Sequence, residues 1–149
     1  MRFFHNPSLS RLTWSLLRIT TGLAFAVHGA QKLFGMFGGV NGQGATPPLM
    51  SLFGFAGILE LFGGLLMIIG LCSRPVAFVL AGEMAAAYFM GHVTAQGGFN
   101  INPVLNRGEP AYLYCFIWLF FAFNGAGPLS VDWNRDHRLT DGTARSDTL

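Results

Sequence analysis

Four long apolar segments, each close to the length of a membrane-spanning helix, most constrain how this chain can fold. They run from about 12 to 34, 49 to 70, 75 to 93 and 111 to 129. A helix rises 1.5 Å per residue, so roughly 20 apolar residues cross the hydrocarbon core of a bilayer. Pro75 and Pro110 lie at two of the predicted helix starts, where the missing N–H loses no hydrogen bond. The chain is therefore predicted to be all-α, an integral membrane four-helix bundle.

The scarcity of charged residues supports the same fold class. Hydrophobic residues make up 52% of the chain and charged residues only 11%, whereas about 25% of an ordinary soluble domain is charged. The net charge is +2, and no basic stripe with interleaved aromatic residues indicates nucleic-acid binding. The two cysteines, Cys72 and Cys115, form no CxxC motif. They fall near opposite faces of the predicted bundle, which argues against a disulfide between them.

Basic residues in the loops predict the orientation in the membrane, because cytoplasmic loops carry more lysine and arginine. Six arginines against two basic residues place both termini and the short turn between the second and third segments in the cytoplasm. Residues 1–133 then form the membrane domain and 134–149 a polar cytoplasmic tail. A signal peptide cleaved after Ala26 is the competing interpretation, and Arg18 inside its apolar region argues against it. The cytoplasmic side carries Arg2, Arg11, Arg74, Arg135, Arg138 and Arg145, and the outer side carries Arg107 with Lys32 nearby.

Three ionisable residues are predicted to meet inside the bundle: Arg18, Glu60 and Glu83. Counted at 1.5 Å per residue, they lie about 9, 15 and 12 Å from the cytoplasmic ends of their segments. A guanidinium between two carboxylates would offset the desolvation of all three groups and fix the helix packing. The same group is also a candidate proton or substrate site, because neighbouring carboxylates raise each other's pKa.

A second polar cluster is predicted nearer the outer face and is a candidate ligand pocket. His28 and His92 lie about 24 and 25 Å from the cytoplasmic face by the same count. Histidine and lysine side chains there suit the carbonyl oxygens of a quinone headgroup. Haem or a metal ion held by the two histidines is the less favoured alternative, because no third ligand is clear. Lys32 has a simpler interpretation, in which it reaches outward to water. The pocket residues are His28, Gln31, Lys32, His92 and Glu109.

Small residues on the second segment predict close helix packing. Gly57, Gly63 and Gly64 lie near the face that carries Glu60, and glycine lets a neighbouring helix approach closely. No nucleophile elbow, phosphate-binding loop or dinucleotide fingerprint is present in the sequence. The sequence therefore gives no motif of a self-sufficient enzyme.

Five ordered motifs resemble the DoxX family, from Arg11 to Trp133. The resemblance implies a multi-pass inner-membrane protein of bacteria or archaea with four helices. The family takes its name from a small subunit of an archaeal terminal quinol oxidase, and related members are linked to thiosulfate:quinone oxidoreduction or to membrane redox complexes. The motifs are RITTG at 18–22, HGAQKLFG at 28–35, FAGILELFGGLLMIIGL at 55–71, NRGE at 106–109 and GAGPLSVD at 125–132. Its polar signature would comprise Arg18, His28, Gln31, Lys32, Glu60 and Glu109.

The resemblance and the polar clusters together predict a membrane subunit associated with a redox or respiratory complex. It would bind a quinone-like molecule in the bundle and act as an accessory subunit of an oxidoreductase rather than as an enzyme alone. The predicted partners are the lipid bilayer and either a partner protein or a second copy of the chain. Two alternatives stay open: a proton-coupled or small-molecule transporter, and a structural membrane anchor for a partner protein.

Overall fold

The computed structural model describes residues 6–94 and 98–135, which form two compact units. The described residues of the first unit are 6–73 and 126–135, and the second unit covers 74–125. Within these ranges the secondary structure is helical, without strands, so the all-α prediction is confirmed. The predicted cytoplasmic tail from residue 136 onward lies outside the described residues, as do Arg2, Arg138 and Arg145.

Helix α1 of the first unit runs over Pro7–Phe34. It begins five residues before the predicted start at 12, because the Asn6 side chain accepts hydrogen bonds from the backbone N–H groups of Ser8 and Leu9 at 3.0 and 3.4 Å. These two donors have no partner within the helix. The helix ends at Gly35, whose φ of 67° is left-handed. A short 3-10 turn, Met36–Gly38, follows in the loop.

Helix α2, Leu52–Ile69, returns antiparallel to α1 and packs against it through glycines. Its start is capped by the Ser51 hydroxyl, which accepts from the Gly54 N–H at 3.1 Å. At Gly64 a Cβ atom would lie only 2.6 Å from the backbone nitrogen of Ala26. The backbones of α1 and α2 are therefore in near contact, as predicted for the glycines of the second segment. Phe25 and Met67 are fully buried beside this contact.

Helix α3, Ser73–Tyr88, provides most of the second unit together with α4, Glu109–Asn124. The last turn of α3 widens into a π-helical segment, Phe89–Val93. Helix α4 ends at Asn124, where Gly125 has a φ of 80°, and not at the predicted residue 129. The buried side chains of this unit include Leu80, Trp118 and Phe121.

Length and composition identify two stretches that could cross a membrane among the described residues, Leu52–Ile69 and Ser73–Val93. These correspond to the second and third predicted spans. The grouping of all four helices into one bundle and the cytoplasmic termini stay predictions.

Candidate functional site

The first unit holds an ion pair between α1 and α2. The Lys32 ammonium donates to both carboxylate oxygens of Glu60. Only 6% of the Glu60 side chain is exposed, against 20% for Lys32. Glu60 lies near the middle of the 18-residue helix α2. The pair therefore places the Glu60 carboxylate, with Lys32 of α1 as its partner, midway along a helix that is apolar enough to span a membrane.

Glycine contacts explain how Lys32 reaches this depth. A Cβ atom on Gly57 would lie 3.0 Å from the Lys32 Cβ, and a Cβ on Gly29 would meet the backbone of Leu61. Glu60 thus lies about level with Gly29, one turn from the backbone of Lys32. Helical side chains lean toward the N-terminus of their helix, so Lys32 extends inward along α1 to Glu60. The structure therefore does not support the simpler interpretation, in which Lys32 reaches outward to water.

The Arg18 guanidinium is fully buried and, among the residues that the structure describes, donates to backbone carbonyls. Two acceptors, Met67 O at 2.5 Å and Ile68 O at 2.6 Å, belong to the last turn of α2. The carbonyls at the end of a helix lack partners within the helix and carry its negative dipole end. The other acceptors lie in the segment that follows α4, at 2.9 Å for Ala126 O and 2.8 Å for Leu129 O. Arg18 thereby fastens residues 126–129 to the end of α2.

Asp132 fastens the same segment to the turn between α2 and α3. Its carboxylate accepts from the backbone N–H groups of Cys72 at 3.0 Å and Ser73 at 2.7 Å, and its own N–H donates to Gly70 O at 3.0 Å. Burial alone would raise the pKa of Asp132, but the hydrogen bonds from Ser73 and Cys72 and the charge of Arg135 leave that pKa below its usual value. Asp132 is therefore an ionised cap on the first turn of α3.

Two members of the predicted network of Arg18, Glu60 and Glu83 have other partners in the first unit. Arg18 donates to carbonyls and Glu60 pairs with Lys32, while Glu83 lies half-buried on α3 of the second unit. Counting depth along each helix locates the backbone and not the end of a long side chain, so it does not identify these partners of Arg18 and Glu60. It also left out backbone carbonyls as partners for a guanidinium.

The predicted pocket residues of the first unit have three different environments. Lys32 contacts Glu60, as described above. The amide of Gln31 donates to Gly39 O at 2.9 Å and so ties the loop after α1 to that helix. His28 is exposed on α1, one turn before Lys32. His28 and part of Lys32 are thus accessible near the ion pair.

The predicted pocket residues of the second unit lie where α3 ends and α4 begins. His92, in the π-helical segment, has its Nδ1 3.2 Å from the carbonyl oxygen of Asn106. The buried Asn106 side chain accepts from the Gly108 N–H at 2.7 Å and donates to Asn100 O at 2.8 Å. Glu109 is exposed in the first turn of α4. His92 therefore holds the loop before α4. The part of the chain that the structure describes contains no group of three or more His, Cys, Asp or Glu residues placed to hold a metal ion.

Sequence reasoning missed the roles of the segment after α4. The motif GAGPLSVD was recognised, but no function was inferred for it, because its acceptors for Arg18 are backbone carbonyls. Glycine and proline close to an aspartate after a helix were the available signal, since they are typical of a tight loop that ends on a capping residue. The pairing of Lys32 with Glu60 was also missed, although both residues belong to the recognised motifs.

Known proteins resemble this chain in the region that contains most of the site residues described above. The family model described as DoxX matches residues 13–93, a range that contains Arg18, His28, Lys32, Glu60 and His92. Glu109 and the segment after α4 lie outside that range. No solved structure matches the chain significantly.

Two bacterial proteins are similar to most of the chain. A Haemophilus influenzae protein named only "Uncharacterized protein" is 40% identical over 122 residues, which cover 79% of this chain and 87% of that protein. A Bacillus subtilis protein named "Putative oxidoreductase CatD" is 31% identical over 119 residues, covering 78% of this chain and 82% of that protein.

Proposed function

This chain belongs to the DoxX family, and from that membership we propose that it is a membrane subunit of a redox complex that binds a quinone-like molecule beside Lys32 and Glu60. The ion pair in the middle of α2 is the observation that carries the proposal. Ionisable residues inside a membrane are costly to insert and commonly mark functional sites. The electrons would come from a partner oxidoreductase.

The exposed surfaces of the helices support a membrane location. Leucine, valine and phenylalanine recur at spacings of three, four or seven positions on one exposed face of α1, and α4 carries a similar stripe. Such stripes suit contact with lipid tails, and they complement the two apolar helices α2 and α3. We therefore propose four spans in a bacterial inner membrane with both termini cytoplasmic. The α1 stripe comprises Leu9, Leu12, Leu16, Leu23, Val27 and Phe34, and the α4 stripe Leu113, Phe116, Phe120 and Phe123.

The redox role is supported by two independent considerations. A relative that matches 78% of this chain carries the name "Putative oxidoreductase CatD". The chemistry of the ion pair also suits both forms of a quinone. An ammonium N–H donates to a quinone carbonyl oxygen, and a carboxylate accepts from a quinol hydroxyl. The pair Lys32 and Glu60 offers both groups within one contact.

The accessibility of the pair fits a ligand site better than a purely structural bridge. Glu60 is almost fully covered, whereas a fifth of the Lys32 side chain is exposed. An ammonium has three N–H donors, and two suffice for the two oxygens of Glu60. The third N–H of Lys32 is thus available to an acceptor that approaches from the exposed side.

Gentle detergent purification tests this proposal directly. Mass spectrometry of the extracted lipids should find a quinone, an absorption spectrum reports any haem, and protein mass spectrometry identifies a copurifying oxidoreductase. The matched control is the double variant K32M/E60L, which removes both polar groups but keeps an apolar interior. The quinone should be depleted in that variant. A wild-type preparation without quinone, together with quinone-dependent respiration unchanged by K32M/E60L, would refute the proposal.

A proton-coupled transporter is the second candidate, and the same mid-helix charge pair favours it. A carboxylate that gains and loses a proton during transport should lose its function as an amide. Flux into proteoliposomes would therefore stop in E60Q while the protein remains folded. An absence of flux for a panel of small solutes in wild-type proteoliposomes would exclude this candidate for those solutes.

A further inference from the structure

We infer that the Lys32–Glu60 site opens sideways into the lipid through a portal formed by Ala24, His28 and the exposed part of Lys32. The inference rests on the proposed function and names the class of ligand: a quinone dissolved in the membrane, with a lipid tail. In this portal, His28 would be a second hydrogen-bond donor to a carbonyl oxygen of the quinone.

The register of the helices places His28 at the depth of the ion pair. Gly29, the next residue, faces the backbone of Leu61, which follows Glu60. His28 and Lys32 are four residues apart, so their side chains lie on the same side of α1. The inward lean of Lys32 brings its ammonium back toward the turn that carries His28. An accessible imidazole and an ammonium thus share one level of the first unit.

Exposure shows from which side the pair can be reached. Glu60, on α2, is 6% exposed, so an approach through α2 is closed. On α1, Lys32 is partly exposed, His28 is exposed and Ala24 is half-buried one turn before it. The small Ala24 side chain leaves room beside His28 for a ring.

The portal borders the apolar stripe of α1. Val27 belongs to that stripe, is 37% exposed and lies three residues after Ala24, so these two side chains are neighbours on the helix surface. Toward the outer end of α1, Gln31 ties the following loop to the helix through Gly39 O. A ligand therefore reaches Lys32 most directly from the hydrocarbon.

His28 is an exposed polar residue on this flank. Within residues 6–94 and 98–135, no hydrogen-bond partner is seen for its ring. A histidine facing lipid without a partner is costly, and a ligand carbonyl would satisfy one ring N–H. A quinone has two carbonyls, which suit the two donors Lys32 and His28, and its tail would follow the apolar stripe.

Spin labels on α1 test the portal. In a C72S/C115S background, one label replaces Ala24 and a control label replaces Thr20, which is exposed one turn earlier. In nanodiscs, the label at 24 should collide more with oxygen than with a water-soluble nickel chelate. Added ubiquinone-10 should lower the oxygen collisions at 24 by about half and leave those at 20 unchanged. Greater access of the nickel chelate at 24, or equal effects of the quinone at both positions, would overturn the portal.

Substitution of His28 tests its role as a donor. H28L should bind ubiquinone-1 about tenfold more weakly, the loss expected for one hydrogen bond, and should fold normally because leucine suits a lipid-facing position. T20V is the control and should bind like the wild type. Unchanged affinity in H28L would remove His28 from the site. If the wild-type protein binds no ubiquinone-1, the proposed function fails. The spin label at position 24 still decides whether this side of α1 faces lipid, through its ratio of collisions with oxygen and with the nickel chelate.

Discussion

At the scale of single residues, substitutions of Lys32 and Glu60 can distinguish a functional role of the ion pair from a structural one. Removing one partner of a buried ion pair leaves an uncompensated charge, which typically costs about 3 kcal/mol or more. Replacing both partners by apolar residues of similar size is often neutral or stabilising. The pair can therefore be removed without unfolding the protein, which isolates its part in ligand binding.

We predict that E60L and K32M each lower the free energy of unfolding by about 3 kcal/mol, because each leaves one buried charge unpaired. The double variant K32M/E60L should return to within about 1 kcal/mol of the wild type. SDS titration in mixed micelles, followed by circular dichroism, measures all four proteins in one double-mutant cycle. Additive losses in the double variant would mean that the two residues do not interact.

Asp132 gives a prediction of pH dependence. The pKa of Asp132 is lowered in the folded protein, so its stabilising effect is complete above the unfolded pKa of about 3.9 and is lost as the pH falls through the folded value. D132N should lower the free energy of unfolding by about 1 kcal/mol at pH 7, because the amide loses one of the two acceptor oxygens and the charge that strengthens both hydrogen bonds. The difference between wild type and D132N should shrink on acidification below about pH 4. An equal difference at pH 7 and pH 3 would contradict the capping role.

The sequence predicted which polar side chains are important. It predicted less well which groups those side chains contact. Arg18, Lys32 and Glu60 were all identified as buried or near-buried polar residues. The observed partners of Arg18 could not be predicted, because backbone carbonyls are present at every position and leave no trace in the sequence. The reach of Lys32 depends on the local approach of α1 to α2, which only the structure reveals.

At the scale of helices, glycines set how closely α1 and α2 pack. A Cβ atom on Gly64 would lie 2.6 Å from both Ala26 N and Gly22 O, and these backbone atoms cannot move independently of their helices. The ends of α1 and α2 follow their caps, Asn6 and Ser51 before them and Gly35 and Gly70 after them. Glycine after a helix is a signal that the sequence shows, so these C-termini were predicted within one residue.

We predict that G64A destabilises the protein by about 2 kcal/mol through overpacking of the two helices. Gly82 on α3 is the matched control, because a Cβ there meets no heavy atom within 4 Å among the described residues. G82A should be neutral or stabilising by up to about 1 kcal/mol, since alanine favours a helix. The same SDS titration measures both variants. Equal effects of G64A and G82A would show that the α1–α2 contact is not limited by backbone approach.

At the scale of the whole molecule, the apolar segments predicted the helical class and the motifs predicted the DoxX family, and both are confirmed. Apolar periodicity records burial in lipid or protein, so it predicts helices well. We still only propose the four-span topology, the cytoplasmic termini and the partner oxidoreductase. The position of the termini rests on the charges of the loops, and the partner rests on the name of a relative. Function depends most on whether a ligand occupies the site beside Lys32 and Glu60.

Equilibrium binding of ubiquinone-1 to the purified protein in nanodiscs tests that central claim most directly. Wild-type protein should bind the quinone saturably, one molecule per chain, and K32M/E60L should bind it at least about tenfold more weakly, because charge-assisted hydrogen bonds are lost. Circular dichroism of both proteins ensures that the double variant is folded. No saturable binding to the wild type, or equal affinity in K32M/E60L, would contradict a quinone site at this ion pair.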